Sequence, residues 1–244
     1  MKDFEGRTAF VTAGATGIGL ACARYLVDRG ASVMVCARRE DTLKDAVRIL
    51  GAKSGYVVCD VSDEASVDQA IATTMERFGH LDCAVNSAGT AAAGPFTQMQ
   101  SAEFDACMKT NLYGVFYCMR AQANAMSEGG SIVNIGSLAG SVTHPWLSGY
   151  CASKAAVSML SKCAADELGQ RGVRVNVVEP GGVQTEMAAP LFETAQGRAE
   201  YLENMPISRL GKPEDVASMV GFLLSEEAGW ITGEVIAVDG GMVM

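Results

Sequence analysis

Histidine is nearly missing from this chain of 244 residues, which has two, and no two cysteines stand at CxxC spacing. Structural zinc therefore has no ligand set, and no metal is expected. Long apolar runs are missing too. Nothing approaches the roughly 18 consecutive apolar residues of a membrane-spanning helix, so none is expected. The opening MKDFEGRTAFVTAG carries acidic residues and lacks an apolar h-region, which excludes a signal peptide from the expectation. Positive charge is in deficit, with 19 Lys and Arg against 28 Asp and Glu and a net charge of −9. That balance weighs against nucleic acid and against a polybasic membrane anchor. A small anionic ligand held by a few local groups stays compatible with it.

What is present describes a packed domain. Apolar residues at 49% and charged residues at 19% exclude a disordered chain, and 27 glycines without a triplet period exclude collagen. A chain of this length buries roughly three quarters of its unfolded surface around one core. Eight cysteines, at 22, 36, 59, 83, 107, 118, 151 and 163, lie mostly in apolar runs such as VMVCA, YVVCD and LDCAV. A thiol there behaves as a small hydrophobe. The reading is free thiols in a reducing compartment, the cytoplasm.

Short β-branched runs alternate with helical patterns from end to end. The strands are expected at 7–12, 32–37, 55–60, 81–89, 130–137, 172–181 and 233–241. Helices are expected from Gly17, over EDTLKDAVRIL, over SDEASVDQAIATTMERFG, over 101–127, over 149–170 and from Pro213. Strands apolar on both faces belong in a parallel sheet covered by helices on each side. The fold class is α/β: a doubly wound, Rossmann-type sheet of seven parallel strands in one domain, 1–244. One long irregular segment, 181–212, interrupts the alternation. Met187, Leu191, Phe192, Tyr201, Leu202 and Met205 imply short helices with an apolar underside, and its place after a strand's carboxyl end suits a lid, about 183–212. A surface excursion covering the core is the plainer reading.

The first strand runs into Thr12-Ala13-Gly14-Ala15-Thr16-Gly17-Ile18-Gly19. Glycines at a strand-to-helix turn let backbone N–H groups and the positive helix end meet a pyrophosphate. Thr12, Gly14, Thr16, Gly17, Ile18 and Gly19 are thus candidate cofactor contacts. The second strand ends at Ala37-Arg38, 19 residues beyond Gly19. A carboxylate near this point would accept bonds from an NAD ribose, whereas the Arg38 guanidinium suits a 2′-phosphate. NADP(H) is favoured and NAD(H) is the second reading; solvated arginines before a helix are the bland one.

Tyr150-Cys151-Ala152-Ser153-Lys154 puts a phenol and an ammonium on one helix face. A fixed positive charge beside a phenol stabilises phenolate and equips the pair for acid/base work on a carbonyl or alcohol. Ser137, thirteen residues before Tyr150, is a hydroxyl able to orient the carbonyl oxygen.

Over its whole length the sequence resembles the short, single-domain subgroup of the short-chain dehydrogenases/reductases. The matching residues are TAGATGIG, Asp60-Val61, Asn86-Ser87-Ala88-Gly89, Asn111, Ser137, YCASK, Pro180-Gly181 through Thr185, and Ile231-Thr232-Gly233 to Val238-Asp239-Gly240-Gly241. The departures are Ala13 in place of the first glycine of TGxxxGxG, Ser87 in place of a second asparagine, and Glu179 before Pro180. The resemblance implies Tyr150 as acid/base, Lys154 lowering its pKa and binding the nicotinamide ribose, and Asn111 holding a water that links Lys154 to solvent. It implies Asp60 and Val61 beside adenine, Asn86, Ala88 and Gly89 at the adenosine ribose, and Pro180, Gly181, Val183 and Thr185 at the nicotinamide. It also implies a homotetramer.

The expected substrate wall combines Thr90–Gly94, Leu138, Ala139, His144, Pro145, Trp146, Leu147, Gly182 and the lid, and is mainly apolar. Trp146 suits a pocket wall or a subunit contact equally, and Cys151 is read as packing ahead of a redox switch. The expected activity is NAD(P)-dependent hydride transfer between nicotinamide C4 and a carbonyl/secondary alcohol pair on a small, mainly apolar molecule. An NAD-preferring alcohol or hydroxysteroid-type dehydrogenase is the alternative, and a catalytically silent nucleotide sensor on the same fold ranks below it. An epimerase or dehydratase fits poorly, because the chain lacks the longer C-terminal part of those relatives.

Overall fold

In the computed structural model the seven apolar runs pair in parallel in the order β3-β2-β1-β4-β5-β6-β7. The strands are β1 Thr8–Thr12, β2 Ser32–Ala37, β3 Ser54–Val58, β4 Cys83–Asn86, β5 Gly130–Ile135, β6 Val173–Pro180 and β7 Val235–Val238. Residues 3–127, 129–192, 194–203 and 205–242 are described. The side-chain alternation of a strand divides the core in two. Ala9, Val11, Val33 and Val35 face α1 (Gly17–Asp28), α2 (Glu40–Leu50) and α8 (Pro213–Leu224). Phe10, Met34 and Ala84 face α3 (Glu64–Phe78), α5 (Gly114–Ala125) and α6 (Ser148–Leu168). Rossmann-type winding follows, with the strand order reversing between β1 and β4, and ligands in such sheets bind at that reversal.

The polar ends are satisfied locally. Asp63 accepts the Ala65 N–H at 3.1 Å to start α3, and Gly79, at φ 85°, ends it. Pro213 opens α8, where Asp215 accepts the Lys212 N–H at 2.7 Å. All eight cysteines are free thiols, and six of them are buried. No described helix is long and apolar enough to cross a membrane.

One element departs from the sequence reading. The helix expected over 101–127 is two helices, α4 (Ser101–Met108) and α5, joined by a π-helical turn at Lys109–Tyr113. The irregular segment contains a short 3₁₀ turn, Ala189–Phe192, and α7 (Ala195–Glu203). Its two ends lie side by side: the Gly211 N–H donates to the Gly182 carbonyl and the Gln184 N–H to the Gly211 carbonyl, each at 2.9 Å. Glu193, Asn204 and the chain ends of the expected 1–244 domain fall outside the described residues, as does the Leu191 side chain.

Candidate active site

The turn after β1 is shaped by steric demands that only particular residues meet. A Cβ at Gly14 would stand 2.6 Å from Val35 Cγ1, and one at Gly19 would stand 2.3 Å from the Ala13 carbonyl oxygen. Gly17 opens α1 with φ 53°, a left-handed conformation that favours glycine. Ala13 stands where the family turn has glycine, and it adopts φ 49° despite its Cβ. The backbone of the turn is therefore kept, at a cost of about 1–2 kcal/mol. The α1 N-terminus has no side-chain cap and no acidic residue in its first turn, so its N–H groups and positive dipole end are left to an anion. A dinucleotide's pyrophosphate fits this cradle.

Thr12 sits at the reversal between β1 and β4. Its hydroxyl accepts the N–H groups of Ser87 at 2.9 Å and Ala88 at 3.0 Å, which fixes the start of the segment after β4. Asn86 points inward. Its amide pairs with Gln122 at 3.0 and 2.8 Å and with Asn134 at 2.8 Å, so its side chain is held in the interior. From beyond β6, Thr185 reaches the turn, with its Cγ2 at 3.4 Å from where a Gly17 Cβ would be. Arg38 is exposed at the carboxyl end of β2. Its positive charge helps the Ser62 backbone and hydroxyl bonds hold Asp60 below the usual carboxylate range, against the opposing effect of burial.

Ser137, two residues beyond β5, caps a short turn, Leu138–Gly140, its hydroxyl accepting the Ala139 N–H at 3.2 Å. That same hydroxyl neighbours Tyr150 on α6. Burial raises the Tyr150 phenol above its ordinary value, and the neighbouring Ser137 hydroxyl pulls it partly back. Lys154, one turn further along, is buried with Nζ 5.8 Å from the Tyr150 ring centroid, and it donates to the Ile135 carbonyl at 2.8 Å. Burial depresses Lys154 from 10.5 to about 8. The expected lowering of the phenol by Lys154 is thus not what dominates in this geometry; desolvation acts on both groups.

Asn111 is fully buried in the π-helical turn. Its Oδ1 accepts the Thr90 N–H at 2.8 Å, and its Nδ2 donates to the Thr90 carbonyl and the Ser153 hydroxyl, each at 2.9 Å. A Cβ at Gly89 would lie 3.4 Å from Asn111 Oδ1 and 3.6 Å from Lys154 Nζ, so these three positions meet.

A family model described as enoyl-(acyl carrier protein) reductase matches residues 12–243. The chain is 38% identical to 3-oxoacyl-(acyl-carrier-protein) reductase FabG of Salmonella typhimurium over 99% of both chains. The chain belongs to the short-chain dehydrogenase/reductase family. It is also 39% identical to the A-factor type gamma-butyrolactone 1'-reductase (1S-forming) of Streptomyces virginiae, over all of both chains. A short-chain type dehydrogenase/reductase of Mycobacterium ulcerans superposes with a TM-score of 0.95 at 39% identity, covering 98% of this chain and 90% of that one.

In this short-chain dehydrogenase/reductase, then, Ser137, Tyr150, Lys154, Asn111 and Gly89 come together at the carboxyl ends of β4 and β5. The glycine turn and Thr185 lie together beside them. A cavity of about 770 Å³ opens at Gly17, Gln184, Thr185, Phe192 and Leu210, between α1 and the 181–212 excursion. Val183 is buried, and Gly181 lies against Asp239. Tyr201 of α7 crosses over Gly182, leaving no room for a Cβ there, and its ring meets Phe192 edge-on with centroids 5.0 Å apart. Trp146 is 69% exposed with φ 66°, and its carbonyl accepts the Gly94 N–H at 2.9 Å. Two residues escaped the sequence reading. Ser153 was in view inside YCASK, whereas Cys107, whose Sγ lies 3.4 Å from Asn111 Nδ2, carried no signal toward the site before folding.

Proposed function

We propose that the enzyme is an NADP(H)-favouring oxidoreductase that interconverts a ketone and a secondary alcohol on a small, mainly apolar molecule. The observation that carries this reading is the Tyr150 phenol beside Ser137, with Lys154 buried one helical turn away and its Nζ 5.8 Å from the Tyr150 ring. A nicotinamide dinucleotide, when bound, supplies or takes the hydride. Tyr150, kept protonated by burial, gives its proton to the carbonyl oxygen in reduction and recovers it in oxidation. Ser137 orients that oxygen and takes part of its developing charge. Lys154 places a positive charge beneath the phenol and reaches the ribose hydroxyls, and Asn111 anchors the route by which a water re-protonates the site.

The cofactor would rest on Gly14, Thr16, Gly17, Ile18 and Gly19, with Asp60 and Val61 at adenine. Gly89 and the backbones of Asn86 and Ala88 would line the adenosine ribose. Pro180, Gly181, Val183 and Thr185 would lie at the nicotinamide. Arg38, beside Ala37 and with no carboxylate in the ribose position, favours a 2′-phosphate. The 183–212 segment acts as the lid. The exposed Phe104, Tyr113, Phe116 and Met159 on α4, the π-helical turn, α5 and α6 favour burial between copies, as in a homotetramer of the cytoplasm.

A panel of ketones and secondary alcohols with NADPH, NADH and their oxidised forms tests the reading. Turnover that survives intact in Tyr150→Phe would falsify the assigned chemistry. Tight cofactor binding with no turnover across the panel would move the chain to the silent-sensor alternative.

A further inference from the structure

Glu179 is a buried acid that the activity above leaves without a task. It lies on β6, 2% exposed, immediately before Pro180. Its two oxygens have different partners. Oε2 accepts the Ser141 hydroxyl at 2.7 Å, just beyond the Ser137 turn, and Oε1 accepts the Ser158 hydroxyl at 2.9 Å, one turn past Lys154 on α6. The surroundings are cut to admit it. A Cβ at Gly140 would stand 3.1 Å from Oε1, and a Cβ at Gly136 would stand 2.9 Å from the Glu179 Cγ. Both glycines flank Ser137, so the turn that carries the substrate-orienting serine closes around this side chain.

From these contacts we infer that Glu179 is a positioning residue, clamping the Ser137 turn onto the Tyr150–Lys154 helix and providing Lys154 with a buried counter-charge. The inference rests on the roles given above to Ser137, Tyr150 and Lys154. Lys154 needs such a partner, because its Nζ donates to a neutral carbonyl, that of Ile135, and a buried ammonium without a nearby negative charge tends to lose its proton. The titratable groups facing Lys154 are Tyr150 on its own helix, Cys107 on α4 and Glu179 on β6. Glu179 favours the charged ammonium, against the larger opposing effect of burial. Hydroxyl donors on both carboxylate oxygens fix the direction of the carboxylate.

Two variants separate the clamp from the charge. Glu179→Gln keeps the side chain's shape and its reach to both serines but removes the negative charge. Ser141→Ala with Ser158→Ala keeps the charge and removes the clamp. The ¹⁵Nζ titration of Lys154 is followed by NMR in each, alongside kcat, KM and the pH profile. In Glu179→Gln the Lys154 midpoint and the alkaline limb of kcat should both fall by about one pH unit, with KM nearly unchanged. In the double serine variant the Lys154 midpoint should stay in place while kcat drops about tenfold. An unmoved Lys154 midpoint in folded Glu179→Gln overturns the counter-charge, and full kcat in the double variant overturns the clamp. If Glu179→Gln does not fold, Glu179→Asp, charged but too short for both serines, should leave the Lys154 midpoint within about half a unit and reproduce the kcat loss; unimpaired kcat there also refutes the clamp. A wild-type enzyme inactive on every carbonyl overturns the proposed activity instead, and the Lys154 titration still decides the role of Glu179.

Discussion

The amide of Asn111 donates to the hydroxyl of Ser153 at 2.9 Å and so ties the π-helical turn to the helix of Tyr150 and Lys154. The same side chain closes two hydrogen bonds on the Thr90 backbone. Asn111→Ala strands the part-buried Thr90 N–H, which costs about 1–3 kcal/mol. The thermal midpoint should fall by several degrees, and turnover should fall at least tenfold as the Ser153 side of α6 loosens. Calorimetry and steady-state kinetics measure both; an active variant of unchanged midpoint would detach the turn from the site.

That turn also marks where the sequence stopped being readable. Seven apolar runs and the helices between them are local features, and they were legible as a doubly wound parallel sheet. Residues 101–127 read as one helix because Lys109, Thr110 and Asn111 are individually compatible with helix. The π-helical turn is set by bonds from Asn111 to Thr90, 21 residues earlier, and to Ser153, 42 residues later. Glu179 was opaque for the same reason, since its partners Ser141 and Ser158 meet it only in the folded protein. Tyr150, Lys154 and Ser137 were legible through spacing and resemblance, but the dominance of burial over charge in setting their protonation was not.

Cofactor choice should turn on Arg38. Its exposed guanidinium lies at the end of β2 beside Ala37, where a 2′-phosphate would receive bidentate bonds. Arg38→Asp replaces those donors with an acceptor for ribose hydroxyls. The ratio of kcat/KM for NADPH over NADH should fall by about a hundredfold or more, as loss of a paired charge of 2–3 kcal/mol or above implies. An unchanged ratio removes Arg38 from the site.

Protonation predicts opposite pH responses for the two reaction directions. Burial keeps Tyr150 protonated above its ordinary range, and Lys154 loses its charge near pH 8. Ketone reduction should be level through neutral pH and decline as pH rises through about 8, while alcohol oxidation should climb toward that point. Tyr150→Phe should lose about 10²–10⁴ in kcat in both directions and keep its affinity for the dinucleotide. A profile that declines toward acid in the reductive direction would contradict the Tyr150 proton source.

Lys154 also sets a stability trend. Its native pKa of about 8 lies below the unfolded value of 10.5. Between these the unfolded chain holds a proton that the native site has released, so wild-type stability should rise with pH across that window. Below about pH 8 the full penalty of the buried charge is present. Lys154→Met removes up to about 3 kcal/mol of that penalty, offset by about 1 kcal/mol for the lost bond to Ile135. The variant should be inactive yet melt higher than wild type at pH 7, with the gap shrinking by pH 10. A variant that melts lower at pH 7 would show that the charge is better compensated than its burial indicates.

Trp146 holds a left-handed backbone, φ 66°, that bulky residues rarely adopt, and its ring is exposed beside the Tyr150 helix. Strain of about 1–2 kcal/mol is maintained there by the Gly94 N–H on its carbonyl. Trp146→Gly relieves the strain and gives back about 0.5–1 kcal/mol as added unfolded-state freedom. The thermal midpoint should therefore hold or rise slightly. If the indole forms the outer wall for an apolar substrate, the KM for bulky ketones should increase several-fold, while that for the smallest ketones stays level. Equal effects across substrate size, with a change in the state of association, would place Trp146 at a subunit contact instead.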